Sequence, residues 1–271
     1  MKKRLCAWMV VLVTFYACST TTADQTTPPV VTAIYPSSDT LPANLLRMYL
    51  HFSKPMKTIG NLENIKLLDE NGLEIAGAIF NNVHELWDNE QQQLTLIFDP
   101  SRVKTGLNAN ERLGRAIQVG KQYQLVIDGL EDVEGYQLKE TFIKPIFGGP
   151  VDTLPPNTEK WKLKIPTAGS RSPLIVQFPA MLDQHSLLQR LQLTNTSNVP
   201  IKGEINIVNQ EKEWRLMANA PWLAGDYILY VHGRLEDPAG NNLNGLFDHK
   251  IGSLKNAQEG LIETINITIK K

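Results

Sequence analysis

The 271-residue sequence predicts an all-β protein made of two tandem antiparallel β-sandwiches. Three observations support this prediction. Short runs of alternating apolar and polar residues dominate the chain, the second half repeats the landmarks of the first in the same order, and a Gly- and Pro-rich stretch separates the halves. At about 100–200 residues per domain, the length suits two domains that each enclose a core.

The N-terminus has the order of a bacterial lipoprotein signal. The basic head Lys2-Lys3-Arg4 precedes an apolar stretch that is too short to cross a membrane as a helix. The stretch ends at Phe15-Tyr16-Ala17-Cys18-Ser19, which resembles a lipobox, in which the cysteine becomes acylated. We therefore expect a signal peptide at 1–17, lipidation of Cys18, and a short flexible polar tether at 18–29. The alternative is an ordinary cleaved signal with Cys18 as an incidental thiol.

Cysteine count and charge exclude several classes of protein. Of the two cysteines, Cys6 lies inside the predicted signal and would be removed with it, which leaves Cys18. A disulfide scaffold and a four-cysteine zinc site are therefore excluded. The formal net charge of -1 argues against a nucleic-acid partner and against a polybasic membrane patch.

Alternation defines the predicted strands. In the run 46–52 every second residue is apolar, and the intervening Tyr49 and His51 are predicted to face outward. Strands of this kind without long intervening helices favour β-sandwiches. Brief helical turns are predicted only near 56–62, 100–107 and 181–191. The alternation recurs at Leu94/Leu96/Phe98, Tyr123/Leu125/Ile127, Leu174/Val176/Phe178, Tyr227/Leu229/Val231 and Ile265/Ile267/Ile269.

The halves share an ordered set of landmarks. These are an aromatic residue before a Pro and a Met, two aliphatic strands, a strand that opens with Gly and Tyr, and a Glu-Asp turn that ends in Gly. The stretch 148–156 between them has linker composition, so we predict one domain at 30–149, a linker at 150–157 and a second domain at 158–271. The landmarks lie at 51–56, 62–67, 94–100, 120–125 and 130–135, and again at 177–181, 188–193, 214–221, 225–229 and 235–240.

The order of these landmarks resembles the bacterial Ig-like domain of the S-layer protein SbsA type. In the first half the resemblance is carried by Phe52-Ser53-Lys54-Pro55-Met56, by the Leu-Thr-Leu-Ile-Phe-Asp-Pro run at 94–100 and by the Glu-Asp-x-x-Gly turn at 131–135. The second half keeps the fuller ending Glu236-Asp237-Pro238-Ala239-Gly240-Asn241. The resemblance implies Ig-like sandwiches that serve as spacers or interaction modules, and it brings no catalytic residues.

Several chemically suggestive residues have structural explanations. Tyr123 and Tyr227 each follow a glycine and open a strand, which suits a tyrosine that hydrogen-bonds its hydroxyl at a sandwich corner. Trp214 and Trp222 are expected in the core. Asp132 and Asp237 stand beside glycine turns and are candidate calcium ligands, but the spaced acidic run of an EF-hand is missing, so a plain turn is preferred.

The first half contains a long polar loop at 101–119, where the second half has only three residues between the corresponding strands. Binding residues often lie on such loops, so Arg102, Lys104, Arg112 and Arg115 are candidates for contact with an anionic partner. A solvated loop is the alternative. No catalytic residue, metal-ligand set or cofactor is expected, because the five histidines are scattered and hydrolase and phosphate-loop motifs are missing.

These observations together predict a non-enzymatic lipoprotein of the bacterial envelope, placed at the outer membrane on its periplasmic or surface face. Its expected partners are the membrane, through the lipid, and an envelope protein or glycan. A periplasmic substrate- or metal-binding accessory protein, similar to a copper carrier, is the alternative. Asp39-Thr40-Leu41 and Asp152-Thr153-Leu154 also resemble a short O-glycosylation signal of some surface-exporting bacteria.

Overall fold

A computed structural model describes residues 27–58, 60, 62–81, 85–249 and 260–271. The predicted signal peptide and Cys18 lie outside these residues. The described part is mostly β-structure, with three short α-helices and one 3-10 turn at Thr158–Lys160. The all-β prediction is therefore confirmed. No helix in the described ranges combines the length and the apolar composition that a membrane crossing needs.

Sandwich 1, whose strands lie within 31–149, consists of two four-stranded sheets. Its strands are β1 (Val31–Tyr35), β2 (Thr40–Pro42), β3 (Arg47–Phe52), β4 (Ile65–Asp69), β5 (Leu86–Trp87), β6 (Gln93–Ile97), β7 (Gln122–Ile127) and β8 (Phe142–Gly149). One sheet has the order β1-β3-β6-β5 and the other β2-β8-β7-β4. All pairs are antiparallel except β2 with β8. Helices α1 (Pro100–Val103) and α2 (Asn108–Leu113) lie between β6 and β7.

Sandwich 2, whose strands lie within 162–269, pairs a four-stranded sheet with a three-stranded one. Its strands are β9 (Lys162–Lys164), β10 (Leu174–Gln177), β11 (Leu191–Asn195), β12 (Gly203–Val208), β13 (Glu213–Ala218), β14 (Gly225–His232) and β15 (Ile262–Ile269). Helix α3 (Gln184–Arg190) runs directly into β11. The sheet orders are β12-β13-β10-β9 and β11-β14-β15.

The sheet order identifies the fold. Taken in chain order, the strands of each sandwich occupy the A-B-E-D and C-F-G positions of an immunoglobulin sandwich, and β2 is an additional strand beside β8. Residues 150–157, between the sandwiches, form neither helix nor strand. The exact domain boundaries stay predictions.

Each sandwich encloses its own hydrophobic core between its two sheets. The residues that alternation predicted to point inward are buried, for example Met48 and Leu50 in β3. Trp214 and Trp222 are buried in the second core, as expected. Burial of this apolar surface, at about 25 cal/mol per Å², is the main stabilising contribution to each sandwich.

The two corner tyrosines also behave as predicted. The Gln118 N–H donates to the hydroxyl oxygen of Tyr123 over 3.1 Å, and the hydroxyl of Tyr227 donates to the carbonyl of Leu223 over 3.0 Å. Both rings are buried. Each tyrosine therefore anchors the loop before its strand while its ring fills the core.

Candidate functional site

The two sandwiches meet at a polar contact, called the joint here, whose central residues are Arg47, Tyr49, Asp183, His185 and Glu236. These residues come from β3 on one side, and from α3 with its N-cap and the turn after β14 on the other. At the centre the hydroxyl of Tyr49 donates to Asp183 Oδ2 over 2.8 Å, and the Tyr49 ring stacks on His185 at 5.5 Å. Arg47 and Glu236 form an ion pair of 2.7 Å beside them.

The predicted outward position of Tyr49 does not leave its side chain exposed to solvent. Tyr49 does point away from the core of sandwich 1, but sandwich 2 covers this face of β3 and leaves Tyr49 only 3% exposed. His51, two residues along the same face, is half-buried and contacts the ring of Tyr35 edge-on. Tyr49 thus occupies an outward position on its strand and is buried in the contact between the two sandwiches.

Asp183 has two structural roles at once. It is the N-cap of α3, where its Oδ1 accepts the N–H of Ser186 over 2.7 Å, and its Oδ2 accepts the Tyr49 hydroxyl. Burial raises the pKa of Asp183. Burial and the neighbouring Asp183 also raise the pKa of Tyr49 far above its usual range, so the phenol stays protonated and remains a donor.

The segment between the sandwiches is held by a side-chain amide. Asn44, which is 1% exposed, donates from Nδ2 to the carbonyl of Asp152 and accepts the Asp152 N–H at Oδ1, both over 2.8 Å. This reciprocal pair resembles the hydrogen bonding between neighbouring strands. The linker backbone is thus attached directly to sandwich 1.

The turn at 236–241 docks on the start of β3. Asp237 shapes the turn by accepting the N–H groups of Ala239 and Asn241 at Oδ1, which confirms the turn explanation for this residue. The turn then offers the carbonyl of Pro238 to the N–H of Leu46 over 2.9 Å. Gly240 has φ +80°, and a Cβ there would lie 2.5 Å from Leu46, so this close approach requires glycine.

Asp132 in sandwich 1 forms the corresponding turn, accepting the N–H groups of Glu134 and Tyr136 at Oδ1. Within the described ranges, no three His, Cys, Asp or Glu side chains are grouped so that they could hold a metal ion. Both aspartates are therefore accounted for by backbone hydrogen bonds.

A partly apolar cavity of about 270 Å³ lies beside the linker and is bordered by Trp161, Phe178, Asp152 and Asp237. Burial, and to a smaller extent the neighbouring Asp152, raises the pKa of Asp237 from 3.8 to about 7. Burial likewise raises the pKa of Glu211, which accepts the N–H of Ser37 across the joint over 2.9 Å. The pKa values of three carboxyl groups at or near the joint are thus raised by burial.

The loop predicted to bind an anionic partner is built around Arg102. This side chain is only 5% exposed, and its guanidinium donates to the carbonyls of Gly114 and Ala76, each over 2.9 Å. Arg102 therefore fastens the loop, with its helices α1 and α2, to sandwich 1.

Two other cations of the loop reach sandwich 2. Arg115 forms an ion pair of 2.9 Å with Asp248, and the ammonium of Lys104 lies 4.4 Å from the centre of the Phe247 ring. Arg112 is exposed on α2. The candidates Arg102, Arg115 and Lys104 thus have different partners within the chain, and contact of the four candidates with an external anion stays a prediction.

Sequence reasoning missed the joint itself. A tyrosine and a histidine at alternate positions of an otherwise ordinary strand indicated only a polar face. The sequence feature that could have indicated the joint is the fuller Glu-Asp-Pro-Ala-Gly-Asn ending of the second half. Three of its residues, Glu236, Pro238 and Gly240, contact sandwich 1.

Comparisons with known proteins assign no family. No family model matches the chain, and no curated protein matches it. The N-terminal part of the bacterial S-layer protein SbsC is 8% identical over 90% of this chain and 45% of that chain, with a TM-score of 0.32. Domains MG0-NIE-MG1 of Escherichia coli alpha-2-macroglobulin are 10% identical over 89% of this chain and 71% of that chain, with a TM-score of 0.29. Structural similarity this weak supports no conclusion about function, and the fold is therefore assigned from the sheet order of the chain itself.

We predict that Tyr49→Phe lowers the free energy of unfolding by about 1–3 kcal/mol, because Asp183 loses a buried donor. Tyr35→Phe is the matched control, since it keeps the ring contact with His51, and it should change that energy by less than about 0.5 kcal/mol. Urea denaturation measures both. Equal unfolding energies for the two variants would contradict the proposed role of the Tyr49 hydroxyl.

We also predict that Asp237 contributes a loss of stability as the pH rises from about 4 to 7. Folded Asp237 keeps its proton up to about pH 7, whereas an unfolded aspartic acid loses it near pH 4, so the folded state binds more protons in this window. The unfolding free energy changes by at most about 1.4 kcal/mol per pH unit through this group. The raised pKa values of Asp183 and Glu211 act in the same direction, and the lowered pKa values of His51, Glu213 and His232 act in the opposite one.

Asp237→Asn should remove this contribution to the pH dependence of the unfolding energy, whereas Asp226→Asn, at an exposed position in β14, should leave it in place. Urea denaturation at several pH values measures the slope. An identical pH dependence of the unfolding energy in the wild type and in Asp237→Asn would contradict this prediction.

Proposed function

We propose that this chain is a non-enzymatic, lipid-anchored protein of the bacterial envelope, in which two Ig-like sandwiches act as one rigid unit. The unit would serve as a spacer or as a module that binds an envelope protein or glycan. The joint is the observation that carries this proposal, because it replaces a free linker with a fixed orientation.

Three separate contacts support rigidity. The Tyr49–Asp183 centre, the Asn44–Asp152 pair and the Arg115–Asp248 ion pair involve different segments of both sandwiches and the linker. Rotation about any one of them would break the others. Domains joined by short linkers otherwise move relative to each other by default, so this set of contacts favours a structural role.

The arrangement at the joint also argues against catalysis there. Tyr49, Asp183 and His185 lie together as catalytic groups often do, but Tyr49 and Asp183 are each 3% exposed and a substrate has no access to them. The raised pKa of Tyr49 further keeps its hydroxyl from acting as a nucleophile at neutral pH. Their hydrogen bonds are used to hold the two sandwiches and to cap α3.

Membrane anchoring is supported by the order of the N-terminus, in which a basic head and a short apolar stretch precede Cys18. Acylation would attach the protein to a membrane without a spanning segment, and the polar residues after Cys18 would hold the sandwiches away from the lipid surface.

We predict that the wild-type protein sediments with membranes after a high-salt wash and that Cys18→Ala releases it into the soluble fraction. Cys6→Ala is the matched control, because it changes the other cysteine while leaving the acylation site intact, and it should remain in the membrane fraction. Immunoblotting of the two fractions measures the distribution. A soluble wild type, or a Cys18→Ala protein that stays with the membranes, would contradict the anchor.

A further inference from the structure

The outer face of the β11-β14-β15 sheet carries an organised row of polar side chains. Gln192 lies opposite Tyr230, and Tyr230 lies opposite Thr264, so the row crosses all three strands. His232 stands two residues from Tyr230 on the same face of β14. A shallow cavity of about 390 Å³ opens beside this row.

The aromatic ring in this row is held in place. The hydroxyl of Tyr230 donates to Asn198 Oδ1 over 3.0 Å, and the side chain is half-buried. The ring is therefore a fixed platform rather than a mobile side chain, which lowers the entropy lost when a flat apolar surface packs on it.

The tautomer of His232 is also fixed. The N–H of Arg234 donates to His232 Nδ1 over 3.1 Å, so the neutral imidazole carries its hydrogen on Nε2. Burial, together with the nearby Arg190 and Arg234, lowers the pKa of His232 and keeps the ring neutral at pH 7. Nε2–H is thus available as a donor at the cavity.

Arg190 supplies a positive charge at the same place. It directly precedes β11 and is half-buried, and its side chain makes no hydrogen bond or ion pair with any residue that the structure describes. The described residues that line the cavity include no Asp, Glu or Lys. The cavity therefore presents one guanidinium without a counter-ion, beside amide, hydroxyl and imidazole groups. This combination complements a ligand that carries both hydroxyl groups and a carboxylate.

We propose that this face binds an acidic oligosaccharide that contains uronic acid residues. A sugar ring packs its apolar face on Tyr230, its hydroxyls bond to Gln192, and its carboxylate is held by Arg190 with the Nε2–H of His232. This assignment rests on the proposed interaction role and names the ligand class for it.

The corresponding face of sandwich 1 has different chemistry. Ile143 and Phe147, which alternate along β8, are 50% and 41% exposed there. The row of hydrogen-bonding side chains is therefore specific to sandwich 2 and is not a general property of the fold.

The test is a calorimetric titration of the full-length protein in mild detergent with tetragalacturonate and, separately, with the neutral tetrasaccharide maltotetraose. We expect tetragalacturonate to bind at least about tenfold more tightly, because the loss of one charge-assisted hydrogen bond has this magnitude. Arg190→Gln should weaken tetragalacturonate binding about tenfold or more. Arg171→Gln, which removes an exposed arginine of sandwich 2 that does not line this cavity, is the matched control and should bind as the wild type does.

Tyr230→Ala should also weaken tetragalacturonate binding about tenfold, with thermal unfolding used to confirm that the variant is folded. No binding by the wild type, equal binding of the neutral tetrasaccharide, or wild-type affinity in Arg190→Gln would overturn the acidic-glycan assignment. These outcomes are distinguishable from failure of the proposed function, because membrane attachment through Cys18 and the rigidity of the joint are measured without any sugar.

Discussion

The buried hydrogen bond from Tyr49 to Asp183 is the interaction on which the arrangement of the two sandwiches depends. When the sandwiches are fully apart, water can satisfy both groups, so the bond adds little to their affinity. When they are docked in a slightly different orientation, the groups stay buried without partners, at a cost of about 1–3 kcal/mol for an unsatisfied polar group. The bond therefore selects one orientation, and the apolar contacts of Met181 and Phe247 with the core of sandwich 1 add burial around it.

Residues of the joint also have roles inside their own sandwich, which couples internal folding to docking. Asp183 caps α3, and Asp237 closes the turn that presents Pro238 to Leu46. The loop at 101–119 is similar, since Arg102 holds it to sandwich 1 while Arg115 and Lys104 contact sandwich 2. A change at any of these positions thus affects a local element and the orientation together. Function that depends on the spacing of two surfaces would be sensitive to all of them.

Local patterns predicted most of the fold. Alternation placed Leu94, Leu96 and Leu125 correctly in the core, because side-chain direction in a strand depends only on the period of two. The joint could not be predicted in this way. The partner of Tyr49 is 134 positions away, and the partner of Arg115 is 133 positions away. Contact of the loop with an external partner stays a prediction, and the burial of Arg102 depends on backbone carbonyls that only the folded loop brings within reach.

The distance between the sandwiches tests the central claim most directly. The chain after Cys18 contains no cysteine, and all described strands and both cores lie beyond it, so spin labels can be placed at Gln124→Cys in β7 and Asn266→Cys in β15 of the chain that starts at residue 24. A reference pair of labels within sandwich 2, at Glu204→Cys and Asn266→Cys, gives the width of the distance distribution that is expected for a single rigid body. Pulsed electron paramagnetic resonance should give one distance peak for the pair across the joint, as narrow as the reference. A broad or multiple-peaked distribution across the joint, with a narrow reference, would contradict a rigid two-sandwich unit.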